Sequence, residues 1–515
     1  MKKIRFIALF SIIFCLLIYA ASFAQQSRNY KELNAYITKA IDDFGVPGLA
    51  VGIVKNGEIV FAKGYGLRNS ITKEAVNTET VFGIASCSKA FTAACIGILA
   101  DDGKLSLNDK VIDRFPTFQL YDPYITREFK IRDLLCHRSG FETFDGDLLW
   151  YGSKYDRKEV VRRIRYRENK YSFREKFGYQ NVMFITAGEV IENVTGKTWD
   201  EFVYEQIFDP LGMESSSTTN SGFTDKMNIA CPHIDGEPLE FINYENIGPA
   251  GSINSSVDDM LKWVQLWLNK GKWDEDTIFS ERVYYTNTAP HTAMNWVRGE
   301  EKFGTHFYNY GLGWFMIDYA GRKIIQHGGG LPGFHSKVVI VPEDSLGFVI
   351  LANQISGLVE AINHKLLDFY LNDSENSDDH RDWAAIYLER EKKQKERLEE
   401  AKKEKAKEKI QGTTPTMELK KYTGVYEDEM YGKAEISLNN SVLHLILLPS
   451  AKLFTSDMEH WHYDTFKFIF NDKFLPEGFI TFRINEAGNP DYFTIDLANP
   501  DFLFYKLKFK KIDRY

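Results

Sequence analysis

Cysteine is scarce: the chain of 515 residues holds five. Cys15 follows Phe14 inside an apolar N-terminal run, where a lipid-anchor site would need a small residue, which argues against a lipoprotein anchor. Cys87, Cys95, Cys136 and Cys231 are too few and too scattered for a disulfide scaffold. They read as buried small residues, with a Cys87 to Cys136 or similar bridge left open. No Cys/His metal spacing occurs among them. His460-Trp461-His462 would set two imidazoles on one strand face, but no third ligand accompanies them, so neither a metal nor a cofactor is expected. Positive charge is also in deficit, with 63 Lys and Arg against 72 Asp and Glu and a formal net charge of -9. Such a chain has no global basic field, which argues against nucleic acid as a partner. Gly-x-Ser-x-Gly and His-Glu-x-x-His are both absent, and with them the elbow and zinc-helix routes to hydrolysis.

The chain has one long apolar run, Phe6 to Tyr19. It follows Met1-Lys2-Lys3-Ile4-Arg5 and precedes Ala20-Ala21-Ser22-Phe23-Ala24. This order of charged, apolar and small-residue regions is that of a bacterial export signal, residues 1–24, cut after Ala24. A periplasmic or secreted protein is expected, with membrane contact only if the segment stays uncleaved. Length implies two or three domains. Residues 27–373 read as the first: a hairpin around Asn56-Gly57, a mostly helical middle, strands at Leu312 to Tyr319, Lys323 to His327, Ser336 to Val341 and Leu346 to Asn353, and a closing helix from Leu358 to Tyr370. Residues 374–415 are rich in Glu, Lys and Arg and read as a solvated helical linker, an exposed boundary that few contacts cross. Residues 416–515 alternate in short runs between turns at Asn439-Asn440, Pro476-Glu477-Gly478 and Gly488-Asn489-Pro490, the pattern of a small all-β barrel.

Ser86-Cys87-Ser88-Lys89 opens an alanine-rich apolar helix. Residues three apart share a helical face, so Lys89 can reach the Ser86 hydroxyl, and a helix N-terminus favours developing negative charge. A second Ser-x-x-Lys, Ser70 to Lys73, lies in a polar connection with no apolar period after it and reads as ordinary loop. A serine-lysine pair needs a proton shuttle and an oxyanion site. Tyr179-Gln180-Asn181 is the candidate for the first, set after Gly178 and leading into a helix. Tyr244, Tyr285 and Tyr370 also begin Tyr-x-Asn triplets but lack that setting. His327-Gly328-Gly329-Gly330 is the candidate for the second, because glycine lets backbone amides approach a carbonyl closely. Gly328 to Gly333 also matches Gly-x-Gly-x-x-Gly, but Pro332 and a strand follow where a phosphate-binding helix should begin.

With these pieces in order, the chain resembles the serine β-lactamase and penicillin-binding-protein superfamily, in the branch of class C β-lactamases, D,D-carboxypeptidases, D-aminopeptidases and esterases. The resemblance runs from about Tyr30 to Asn372 and includes Val46-Pro47-Gly48-Leu49-Ala50-Val51, Leu134-Leu135-Cys136-His137-Arg138-Ser139-Gly140 and Gly248-Pro249-Ala250-Gly251-Ser252. It implies an α/β fold, an antiparallel sheet flanked by helices with a helical subdomain, followed by a lipocalin-like barrel. It also implies acylation of Ser86 with Lys89 and Tyr179 sharing the base role. Amides of Ser86 and Gly330 would hold the oxyanion, and Asn181 would bind the substrate amide. His327, Gly328 and Gly329 stand where the family has Lys-Thr-Gly, and histidine there fits peptidases and esterases better than antibiotic hydrolysis. Neutral or charged near pH 7, it would make carboxylate recognition pH-dependent. The implied partners are a small peptide, ester or β-lactam-like substrate, D-amino-acid peptides or small esters above all, and a second copy of the chain through the barrel. A β-lactamase and a non-catalytic binding protein on the same scaffold are the alternatives. In relatives carrying such a barrel, it covers the cleft or assembles oligomers.

Overall fold

The computed structural model describes residues 30–224, 226–294, 304–372 and 381–512; the export signal expected over residues 1–24 lies outside them. Helix α1 (residues 30–44) leads into strands β1 (Gly48–Lys55) and β2 (Glu58–Gly66), joined at Asn56 and Gly57. Both turn residues have positive φ, 55° and 83°, as a two-residue hairpin turn that matches strand twist requires. The sheet is completed far along the chain by β3 (Thr292–Ala293), β4 (Tyr308–Tyr310), β5 (Phe315–Tyr319), β6 (Arg322–Leu331), β7 (Phe334–Val341) and β8 (Leu346–Ala352). Its antiparallel order is β2-β1-β8-β7-β6-β5-β4-β3, so the two ends of the domain meet where Leu49 pairs with Ala352.

β1 is apolar at almost every position because both faces of the sheet are covered. Leu49, Val51 and Ile53 pack with α1 and with α5 (Leu358–Leu371), while Ala50 and Val54 join the core beneath α2 (Ser88–Asp101) and α4 (Val257–Leu268). Gly52 is needed at that second face, since a Cβ there would lie 2.6 Å from Val257. On the far side of the sheet from α1 and α5, α2 is buried from Ser88 to Leu99, and Phe91 stacks on Trp263 of α4 with ring centres 3.8 Å apart. A subdomain of short helices, with α3 (Asn181–Thr195) at its centre, closes over α2.

The expected strand at Leu312 begins only at Phe315. Residues 311–314 stay out of the strand: Gly313 sits in a bend at φ 75°, and a Cβ on it would come within 2.8 Å of the Lys89 carbonyl oxygen. The charged segment is helix α6 (Trp383–Lys407), but its first turn is not solvated: Trp383 and Ala384 are buried, and the Trp383 indole donates to Asp368 at 2.5 Å.

The C-terminal barrel has eight antiparallel strands, β9 (Gly424–Asp428), β10 (Gly432–Asn439), β11 (Val442–Leu447), β12 (Thr455–His462), β13 (Thr465–Phe468), β14 (Gly478–Ile484), β15 (Pro490–Asp496) and β16 (Lys508–Ile512), and β9 pairs with β16 to close it. Its interior is filled by rings, among them Tyr422, Tyr426, Phe466, Phe482 and Phe493, as expected of eight strands.

The expectation of few contacts between the domains is overturned. Tyr151 donates to Asp472 (2.8 Å), Tyr155 to the Tyr431 carbonyl (2.9 Å) and Arg163 to the Met430 carbonyl (3.0 Å). Lys506 bonds Asp145 at 2.6 Å, and the Tyr151 and Phe502 rings lie 4.2 Å apart. The fit is close enough that a Cβ on Gly152 would sit 2.2 Å from Leu453. These interface residues come from segments far apart in the chain, on loops, turns and the end of the helix Arg157–Arg163, so no local pattern in the sequence marks them.

Candidate active site

Ser86 lies in a 3-10 turn (Ala85–Cys87) that feeds directly into α2. The residue before it, Ala85, has φ 49°, a left-handed conformation costly for a side chain with a Cβ. Neighbours hold that turn: the Ile84 carbonyl accepts from Ser336 at 2.6 Å, and Ser88 donates to the Ala85 carbonyl at 2.7 Å.

One turn along, Lys89 is fully buried. Its Nζ stands 3.0 Å from Ser86 Oγ, 2.7 Å from Asn181 Oδ1 and 2.8 Å from the Ala250 carbonyl oxygen. Burial lowers its pKa from 10.5 to about 7, partly opposed by the charge on Asp147. Asn181, the first residue of α3, passes the network on by donating to Asp147 Oδ2 at 2.6 Å. Asp147 is 2% exposed, and burial raises its pKa to about 8 against the opposing pull of Trp150, Asn181 and Lys89. No motif singled out Asp147; its only local signal is Gly146, whose φ of 91° turns the chain inward just before it.

Tyr179 reaches the same point from the turn before α3. Gly178 permits this, since a Cβ there would lie 2.1 Å from the Phe141 carbonyl oxygen. The Tyr179 ring lies under Lys89 Nζ, 4.7 Å from the ring centre. Burial pushes the phenol well above its usual range, which the adjacent Ser86 side chain only partly offsets, so Tyr179 stays protonated. Its ring packs on His137, centres 4.2 Å apart, and His137 Nδ1 accepts from the Gln180 amide at 3.0 Å. Tyr310, which also touches His137, lies 3.1 Å from His327 Nε2.

His327 Nδ1 is 2.6 Å from the Gly328 carbonyl oxygen, so Nδ1 carries the proton and Nε2 accepts from Tyr310. Desolvation, with the Lys89 charge adding to it, lowers the His327 pKa to about 3. The side chain is neutral throughout the physiological range, and a pH-dependent charge at this position is not what the fold provides.

Beyond Gln326, the last residue paired with β5, β6 runs on as a free edge through Gly328, Gly329 and Gly330. Gly329 faces the nucleophile turn: a Cβ there would lie 2.2 Å from the Ile84 oxygen and 2.9 Å from the Ser86 nitrogen. Leu331 pairs with Phe334 across the two-residue link, so the alternation of an antiparallel ladder directs the Gly330 N–H away from β7, toward the cleft.

Ser86, Tyr179, Asn181, His327, Gly328 and Gly330 all line one cleft of about 440 Å³, with Lys89 just beneath its floor. The barrel completes the cleft wall with Phe474, Asp501 and Phe502. Lys337, also on the wall, is bonded to Glu360 at 2.9 Å. Ser70 lies in a turn outside the cleft, where its amide donates to His233. Tyr244, Tyr285 and Tyr370 do not line the cleft. His460 and His462 are separated by a bulge, and the described residues hold no group of three metal-ligating side chains. Cys87, Cys95 and Cys136 are buried thiols in no disulfide.

This geometry can be set beside known proteins. Residues 33–371 match the family model described as Beta-lactamase, and residues 408–511 match a Domain of unknown function (DUF3471). "Unguisins hydrolase ungD'" of Aspergillus campestris is 28% identical over 430 residues, covering 78% of this chain and 76% of that protein. "Protein flp" of Staphylococcus aureus is 26% identical over 348 residues, 66% of each chain. Among solved structures, the octameric penicillin-binding protein homologue from Pyrococcus abyssi has a TM-score of 0.60 at 22% identity, covering 94% of this chain and 100% of that one. The D-amino acid amidase from Ochrobactrum anthropi SV3 has a TM-score of 0.55 at 19% identity, over 65% and 99%. These two establish likeness of fold.

Proposed function

The chain belongs to the Beta-lactamase family and is a serine hydrolase; from that premise we propose that Ser86 is its nucleophile and Lys89 the base that activates it. The observation that carries this reading is the set of three oxygens around Lys89 Nζ. A neutral amine has two N–H bonds and one lone pair. Asn181 Oδ1 and the Ala250 carbonyl take the two hydrogens, which leaves the lone pair for the Ser86 hydroxyl. A pKa near 7 keeps a large fraction of Lys89 in that state.

In this scheme Ser86 Oγ attacks the substrate carbonyl as its proton passes to Lys89, forming the Oγ–C bond. The N–H groups of Ser86 and Gly330 receive the oxyanion. Tyr179, protonated and beside Ser86, relays a proton to the leaving group as its bond to the carbonyl carbon breaks, and water then cleaves the acyl-enzyme by the same route. Asn181 holds Lys89 in place through its link to Asp147, and His137 and Tyr310 fix the Tyr179 and His327 rings.

The substrates we propose are D-amino-acid-containing peptides or amides, or small esters. The relatives' names, a hydrolase of unguisins and an amidase of D-amino acids, support amide cleavage. The neutral His327 supports a site without a charged carboxylate reader at the third motif, which disfavours β-lactams. The reading includes export directed by residues 1–24 and assembly of copies through the barrel, for which the octameric relative is the supporting likeness. A parallel screen of D-peptides, p-nitrophenyl esters and a chromogenic cephalosporin tests the substrate order. Turnover of the cephalosporin above both other classes would overturn it.

A further inference from the structure

Both backbone hydrogen-bonding groups of Tyr179 are taken up by a single segment, residues 142–147. The Tyr179 amide donates to Thr143 Oγ1 at 3.1 Å, and its carbonyl accepts from the Phe144 amide at 2.8 Å. The next two residues are bound to the same segment: Gln180 Nε2 donates to the Glu142 carbonyl at 2.5 Å, and Asn181 Nδ2 to Asp147 at 2.6 Å. The Phe144 ring stands edge-on to that of Tyr179, centres 5.4 Å apart. Where this segment sits therefore decides where the Tyr179 phenol sits relative to Ser86.

The segment needs outside support. Phe144 has φ 64°, a left-handed conformation that a residue with a Cβ keeps only when its surroundings impose it. Part of that support comes from the barrel. Lys506 Nζ stands 2.6 Å from Asp145 Oδ2 and 2.9 Å from Glu142 Oε2, so one ammonium spans the two carboxylates on either side of Phe144. Tyr505 adds a hydrogen bond to Glu142 at 3.2 Å. The catalytic domain offers one cation to each carboxylate: Arg167, 3.0 Å from Asp145, and Lys170, 2.5 Å from Glu142. Among the described residues only Lys506 pairs with both. At 15% side-chain exposure against 45% for Lys170, its contacts are the less screened by solvent. Its own place is fixed, because the turn Phe504–Lys506 buries the Phe504 ring against Phe454 and Phe470 inside the barrel.

We propose that Lys506 is a positioning residue for acyl transfer: from the barrel, and without lining the cleft, it clamps Glu142 and Asp145 and through their segment holds the Tyr179 hydroxyl beside Ser86. The inference rests on Tyr179 being the proton relay and goes beyond it, since it makes turnover depend on one ion-pair network between the domains.

The test measures kcat for p-nitrophenyl acetate in the full chain carrying Lys506→Met, Lys506→Arg or Glu142→Gln, each with and without Tyr179→Phe. Lys506→Met should lower kcat by about 10–100-fold, the cost of a small misplacement at a reacting centre. In the Tyr179→Phe background the same change should cost less than about twofold, because a residue that acts through the phenol has nothing left to position. Lys506→Arg, which keeps the charge, should recover to within about fivefold of wild type. Glu142→Gln leaves Asp145 to Lys506 and should cost about threefold to tenfold, again only when the Tyr179 hydroxyl is present. A Lys506→Met kcat within about twofold of wild type, an equal loss in both backgrounds, or no recovery in Lys506→Arg would each overturn the proposal. Should Lys506→Met not fold, Glu142→Gln decides by the same comparison. Failure of the relay reading shows separately, as a Tyr179→Phe variant that is as fast as wild type.

Discussion

Lys89 Nζ stands 3.0 Å from Ser86 Oγ across a single helical turn, and the two other oxygens it meets are held in place by the surrounding fold. A buried amine fixed in this way is a base whose strength is set by desolvation, and the consequence is measurable. Acylation should rise with pH through a midpoint near 7 and level off above it, because the neutral amine is the active form. Lys89→Arg, which stays charged, should lower acylation by about 10²–10⁴-fold. A flat profile between pH 5.5 and 9, measured by stopped-flow with an activated ester, would remove Lys89 from the base role.

Asp147 has a folded pKa of about 8 against an ordinary 3.8, so the stability it contributes is fully present below pH 3.8 and is lost as pH rises through about 8. Asp147→Asn keeps the group neutral throughout. Its melting temperature relative to wild type should therefore climb between pH 4 and 8, whatever the offset from altered hydrogen bonding. A difference that does not vary with pH would mean Asp147 is ionised throughout.

Gly329 and Gly330 should differ sharply. A methyl at 329 meets the Ile84 backbone oxygen at 2.2 Å and must push β6 off the nucleophile turn, whereas a methyl at 330 meets nothing within 4 Å. Gly329→Ala should cut acylation by about 100-fold or more, the cost of a displacement near 1 Å at a reacting centre. Gly330→Ala should stay within about tenfold of wild type, because its amide is unchanged. Equal effects in both variants would show that β6 does not set the oxyanion site.

Truncation after Gly412 should not leave a well-behaved catalytic domain. It strips the Phe502 ring from Tyr151, Leu453 from Gly152 and Lys506 from Asp145. Each large apolar contact is worth about 1.5–3 kcal/mol, and several lost together approach the whole margin of a domain. A lower melting temperature or aggregation is expected. A soluble fragment melting with the full chain would show the interface to be energetically idle.

The sheet, the barrel and the pair Ser86 and Lys89 were legible because they rest on local periodicity: alternation in β1, a three-residue spacing on α2, turn residues between barrel strands. Tyr179 was separable from Tyr244, Tyr285 and Tyr370 by the glycine before it, which the structure explains as room for the Phe141 carbonyl. Asp147 was not legible, because its significance comes from burial beside Asn181, and a lone aspartate after a glycine is a common loop. Asp501 and Phe502 reach the cleft only through docking of the barrel, a relationship between distant segments that no local pattern encodes. The charge of His327 depended on Tyr310 and the Gly328 carbonyl enclosing its ring, which its own flanking residues did not reveal.

The central claim is that Ser86, and not the other Ser-x-x-Lys serine, carries the acyl group. Labelling the full chain with a fluorophosphonate, followed by peptide mapping, measures this directly. The account predicts modification at Ser86, its loss in Ser86→Ala and its retention in Ser70→Ala. Labelling that persists in Ser86→Ala, or that disappears in Ser70→Ala, would contradict it.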